Sequence, residues 1–201
     1  MISPPRPDIS SRSSCVRYLH IAEVPEKYSI GIFVFPPGAR IPLHDHPGMC
    51  VLSRILYGSV QRLSLDLERE SSPPPPPQQR SSLFSLLGMG RSVNNSNTQA
   101  TAPDRRKACR RNGVEWLVAP AVTMLYPYEG NLHEFSAGPH GAAVLDVLLP
   151  PYDSVKERDC TFYEILQQQQ GNDSQCWIVP TGQPEDFHCL SGRYLNFGEE
   201  T

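Results

Sequence analysis

The sequence predicts an all-β domain, a closed barrel or double-sheet jelly roll, on three observations. Its apolar runs are mostly short, such as the six residues Ile30 to Phe35 and the eight from Ala142 to Leu149. Runs of that length suit strands better than helices. Gly and Pro corners separate them, and the 21 prolines are more than a helical protein accommodates.

In chain order, residues 1–14 are polar and proline-rich and are expected to form a disordered tail before a single domain over 15–201. Tyr18 to Ile21 is a short strand. Ile30 to Phe35 is a buried one, stopped by the corner Pro36-Pro37-Gly38. Ile41 to His46 and Cys50 to Leu56 follow, with Tyr57-Gly58 read as a turn. Val60 to Leu67 alternates apolar and polar residues, the pattern of a half-buried strand.

Composition then breaks. From about 68 to 112 the chain holds five consecutive prolines, a Ser/Asn/Thr/Gln tract and the basic cluster Arg105 to Arg111. A proline run is stiff and extended, and the remainder carries too little apolar surface to offset its ordering entropy. This stretch is expected to be a long disordered insertion. Leu83 to Leu87 is its one apolar patch, and the basic cluster reads as a solvated loop. Strands resume at Val114 to Val118, Val122 to Tyr126 and Asn131 to Phe135. Gly138 to Gly141 is read as a hairpin loop leading into the strand Ala142 to Leu149. Glu164 to Gln170 is either a short helix or a disordered glutamine tail. Cys176 to Val179 is one more strand, and a polar segment closes the chain.

Charge is near balance, with 18 Lys and Arg against 21 Asp and Glu, so no nucleic-acid partner is expected. No run is long and apolar enough to span a membrane, and no secretory leader is visible. An intracellular monomer is expected, in the cytoplasm and with the nucleus as a second location. Six scattered cysteines without a C-x-x-C pair read as free thiols.

The candidate chemistry lies in Pro42-Leu43-His44-Asp45-His46-Pro47. In an extended chain His44 and His46 leave the same face, while Asp45 points away. Two imidazoles on one face are half of a metal site; by themselves they read first as an exposed or hydrogen-bonded pair on an edge strand, until a third partner is found. His133 opens a later strand and is a third candidate. With Gly138 to Gly141 as a four-residue loop, Ala137 faces Ala142, and His133 faces Asp146 across the hairpin. Asp146 is the only charge among Ala142 to Leu149. Burying it is costly without a partner, which marks it as a structural hydrogen-bonding group or as a group beside the ligands.

The spacing Gly38, His44, His46, Val51, Gly58 resembles the first cupin motif, and Pro127, Gly130, His133 resembles the second. Val51 stands where the usual cupin has a glutamate ligand, and Ala137 where it has an asparagine. The implied fold is the cupin double-stranded β-helix, with a cation held by three neutral imidazoles. More narrowly, Ile41-Pro42-Leu43-His44-Asp45-His46-Pro47-Gly48-Met49 is similar to the thiol dioxygenases of the plant cysteine oxidase and cysteamine dioxygenase family. Leu145-Asp146-Val147-Leu148, Pro150-Pro151-Tyr152 and Pro184-Glu185-Asp186-Phe187 extend the resemblance.

That resemblance implies an Fe(2+) enzyme with His44, His46 and His133 as ligands. Its substrates would be O2 and either a small aminothiol or the N-terminal cysteine of a protein, whose oxidation to a sulfinic acid feeds an oxygen-dependent degradation signal. Asp146 would be the catalytic carboxylate, and Tyr152 a substrate-binding residue at the pocket mouth. Spacing alone also admits another three-histidine metal cupin, a hydrolase or isomerase, or a metal-binding cupin without catalysis. Some family members link a cysteine to a tyrosine two positions on; here Cys160 is followed at that distance by Phe162, which has no phenol. Cys160 is therefore read as a buried strand cysteine.

Overall fold

The computed structural model describes residues 15–68, 106–169 and 172–193. Within them the chain forms ten strands and no α-helix: β1 (Val16–Val24), β2 (Tyr28–Phe35), β3 (Arg40–His44), β4 (Cys50–Leu67), β5 (Arg106–Val118), β6 (Val122–Leu125), β7 (Leu132–Leu149), β8 (Phe162–Gln169), β9 (Asn172–Thr181) and β10 (Cys189–Arg193). The predicted all-β class holds, and the topology is that of a cupin-type double-stranded β-helix.

Two 18-residue strands, β4 and β7, pair antiparallel along almost their whole length and form the seam of the barrel. Around one half of the seam lie β2, β1 and β10; around the other lie β3, β8, β9 and β5. Both long strands bend at glycines. Gly58 (φ 66°) and Gly141 (φ 74°) occupy the left-handed region, and the register shifts beside Gly58. A Cβ on Gly58 would run into the carbonyl oxygen of Gly141, so the two bends fit only because neither carries a side chain.

This arrangement corrects two readings of the sequence. Tyr57-Gly58 is a bend inside β4 and not a turn. Gly138 to Gly141 is a bend inside β7 and not a hairpin loop, so His133 and Asp146 lie on one strand and do not face each other. His133 is opposite His44 on β3 and Ser64 on β4, whereas Asp146 is opposite Gly31 on β2 and Ser53 on β4. Glycines flanking Pro-His look like a loop locally. The long β4 ladder supplies the hydrogen bonds that carry the strand through it.

Three further boundaries move. β5 begins at Arg106, so the basic stretch from there on is laddered to β4 and β9, and the expected insertion ends earlier than 112. Backbone pairing on both edges of β5 is indifferent to its basic composition. The proline run and the Leu83 to Leu87 patch lie outside the described residues, as do residues 1–14. Glu164 to Gln169 belong to β8, which removes both the helical and the disordered-tail alternatives for them, and the closing segment contains β10, paired parallel to β1.

Apolar residues of alternate positions fill the barrel. One cluster centres on Phe35, Ile55, Phe135 and Val144, a second on Leu43, Leu65, Leu132 and Ile178, and a third on Met49, Val51, Leu125 and Leu148. Cys50, Cys160 and Cys189 are free thiols, as expected. Cys160 precedes β8 and is exposed, contrary to the buried position read from the sequence.

Candidate metal centre

His44, the last residue of β3, faces His133 across the β3–β7 ladder, and His46 follows two residues beyond the strand end. One ligand atom from each of the three lies within 4.8 Å of the others. The ring centroids are 4.8 to 5.0 Å apart, and all three rings are buried. The Nε2 atoms of His46 and His133 are 3.4 Å apart. Two imidazoles sharing one cation at about 2.1 Å each would stand about that far apart, so the donor set fits a metal ion.

Hydrogen bonds decide which nitrogen faces inward. His44 Nδ1 is 2.8 Å from the Pro42 carbonyl, which only accepts, so Nδ1 carries the proton and Nε2 is the available lone pair. The Tyr152 hydroxyl donates to the Asp45 carbonyl at 2.8 Å and lies 2.8 Å from His46 Nδ1. Its single proton is committed, so His46 Nδ1–H donates to the phenol oxygen and Nε2 is again left for a ligand. Burial lowers all three imidazoles: His44 to about 4, with the Pro42 bond opposing, and His46 and His133 well below their usual value, with the neighbouring rings adding to the effect. The trio is neutral at physiological pH, which is the form that binds a cation.

The backbone between the ligands is held by residues that the sequence did not single out. Asn131 Oδ1 accepts from the His46 N–H at 3.0 Å, and its amide donates to the His46 carbonyl at 2.8 Å. β3 ends at His44, short of the predicted His46, yet Asp45 still points away from the rings, as alternation with His44 and His46 predicts. Its carboxylate accepts from the Thr161 N–H and the Tyr163 hydroxyl, both at 2.9 Å, which ties the His44–His46 segment to the start of β8. Nothing in single-sequence spacing marks Asn131 or Tyr163; their partners are 85 and 118 residues away.

Val51, at the usual glutamate position, is 1% exposed and packs with Met49, Leu125 and Leu148. Among the described residues no carboxylate joins the three imidazoles. Asp146 is buried on the inner face of β7, hydrogen-bonded to Ser53, and its Oδ1 has no partner. Burial pushes its carboxyl up to about 7, with the Ser53 bond opposing. Tyr152 stacks on His46 with centroids 5.3 Å apart, and its hydroxyl is turned onto that ring.

The chain matches the PCO_ADO family model over residues 5–196. It is 33% identical over 193 residues to the 2-aminoethanethiol dioxygenase of Homo sapiens, an alignment covering 89% of this chain and 66% of that protein. The corresponding mouse protein (Mus musculus) is 35% identical over 192 residues, 89% of this chain and 69% of its own length. Plant cysteine oxidase 1 of Arabidopsis thaliana is 30% identical over 204 residues, 94% of this chain and 60% of that protein. The chain thus spans about two thirds of the length of the mammalian relatives.

Proposed function

The chain belongs to the PCO_ADO family, and from that premise we propose that it is a non-haem iron(II) thiol dioxygenase. It adds both atoms of O2 to the thiol of an N-terminal cysteine, or of cysteamine, so that RSH + O2 gives RSO2H with no external reductant. As an intracellular monomer acting on protein N-termini, it would feed an oxygen-dependent degradation signal.

The observation that carries this reading is the donor set: three neutral buried imidazoles, joined by no carboxylate among the described residues. His44, His46 and His133 would hold the ion through Nε2 and leave its charge uncompensated. Held by these residues, iron(II) would supply a Lewis acid for the substrate thiol and a redox partner for O2. The remaining work belongs to the protein. Tyr152 and the Pro42 carbonyl keep His46 and His44 in the tautomer that presents Nε2. Asp146, with one oxygen unpaired, takes the substrate ammonium or the thiol proton; a carboxyl that titrates near neutrality serves either purpose. The apolar cluster around Val51 limits water at the flank of the site.

The test is anaerobic loading with iron(II), then exposure to O2 with a cysteine-initiated peptide or with cysteamine. Mass spectrometry should show a gain of two oxygen atoms on the thiol. No oxygenated product from either thiol would refute the proposal.

A further inference from the structure

A cleft of about 350 Å³ opens against the inner face of β1 and β2, lined by Tyr18, Glu23, Ser29, Phe33, Leu148 and Tyr152 among others. It adjoins the histidine site through Tyr152, whose hydroxyl touches His46. It adjoins Asp146 through the β2–β7 ladder. Ser29 faces Leu148 and Phe33 faces Val144, and the pair between those rows is Gly31 opposite Asp146. Gly31 needs to be a glycine because the Tyr18 ring lies over it; a Cβ there would run into the ring. Tyr18 therefore walls the cleft beside the Asp146 row.

Size and charge both restrict the occupant. An aminothiol such as cysteamine has four heavy atoms, and at roughly 30 Å³ each they fill only about a third of the cleft. The lining contains the carboxylate of Glu23 and no lysine, arginine or histidine. On the adjoining turn, Lys156 and Arg158 are ion-paired with Glu26. With Asp146 buried alongside, the cleft favours a cationic occupant.

Register gives the reach. Glu23 faces Ser29, Ser29 faces Leu148, and Leu148 is two residues beyond Asp146 on the same face. Two strand spacings of about 4.8 Å and two rises of about 3.3 Å place the Glu23 and Asp146 backbones about 12 Å apart. An extended peptide covers about 3.4 Å per residue. With its leading ammonium at Asp146, its second or third residue brings a long side chain to Glu23.

We infer that this cleft is the subsite for the second and third residues of a peptide substrate, and that Glu23 makes it select a basic side chain there. The inference deepens the proposed function, since it takes the leading cysteine to sit at the histidine site.

The test compares two peptides, Cys-Lys-Lys and Cys-Glu-Glu followed by one common sequence, on the iron-loaded full chain as wild type, Glu23→Gln and Glu23→Lys. Glu23 is exposed, so these substitutions leave the core untouched. At low salt the wild type should favour the lysine peptide in kcat/KM by about fivefold; Glu23→Gln should bring the ratio towards one and Glu23→Lys should invert it. The same peptides beginning with serine, followed by fluorescence anisotropy, should bind in the same order. If the peptides are oxidised but the Lys-to-Glu ratio is equal in all three proteins, the subsite is overturned. If nothing is oxidised while the anisotropy order holds, the oxygenase reading fails and the subsite stands.

Discussion

The hydroxyl of Tyr152 stands 2.8 Å from His46 Nδ1 while giving its own proton to the carbonyl of Asp45. One side chain thereby sets the tautomer and the ring orientation of a ligand. Removing such a partner typically weakens metal affinity about 10- to 100-fold. Tyr152→Phe is expected to fold and to bind iron(II) within that range more weakly, as read by competition with a chelating dye. Unchanged affinity would show that the phenol does not support His46.

Asp146 gives a prediction of opposite sign for stability and for activity. Its carboxyl titrates at about 7 in the folded chain because burial raises it, and near 3.9 when unfolded. Between those values the folded form binds the extra proton, so this group's contribution to stability falls as pH rises through the window and stays low above it. In the metal-free protein, Asp146→Asn should melt above the wild type near pH 8, by up to a few kcal/mol, with the gap closing towards pH 4. Turnover should drop by about a hundredfold or more while iron is retained. A wild type that is the more stable near pH 8, or kinetics that do not change, would remove Asp146 from its proposed role.

The paired bends of β4 and β7 make Gly58 intolerant of substitution. Gly58→Ala needs both a left-handed φ and space taken by the Gly141 carbonyl. The variant is expected to be insoluble or destabilised by more than about 3 kcal/mol in chemical denaturation. A loss below about 1 kcal/mol would mean that the seam relaxes easily.

Leu67 and Ala108 face each other at the end of the β4–β5 ladder, so both ends of the segment between them leave from one place. We propose that the barrel is one domain and that this segment is an addition to it. Replacing residues 70–104 by a short Asn-Gly turn should leave the melting temperature within about 5 °C, since loop length alone has a small entropic effect. Loss of folding would assign the segment a structural role.

The class of fold and the three histidines were legible because they rest on local spacing: short apolar runs, two imidazoles at i and i+2, and a third after Pro127 and Gly130. Asp146 stood out as the single charge in an apolar run. What spacing could not show was pairing. Gly138 to Gly141 has the composition of a loop, yet the β4 partner makes it a bend, and the predicted contact of Asp146 with His133 was lost with the hairpin. Asn131, Tyr163 and the phenol of Tyr152 act through partners far along the chain, so they had no local signature. Arg106 to Asn112 was read from composition, which says little about backbone laddering.

The most direct measurement is iron content per chain after anaerobic loading and desalting, for the wild type and for His44→Ala, His46→Ala and His133→Ala. If the three imidazoles hold one cation, the wild type retains about one iron and each variant retains little, with its melting curve otherwise preserved. A His133→Ala protein that keeps its iron and its thiol oxidation would contradict the site.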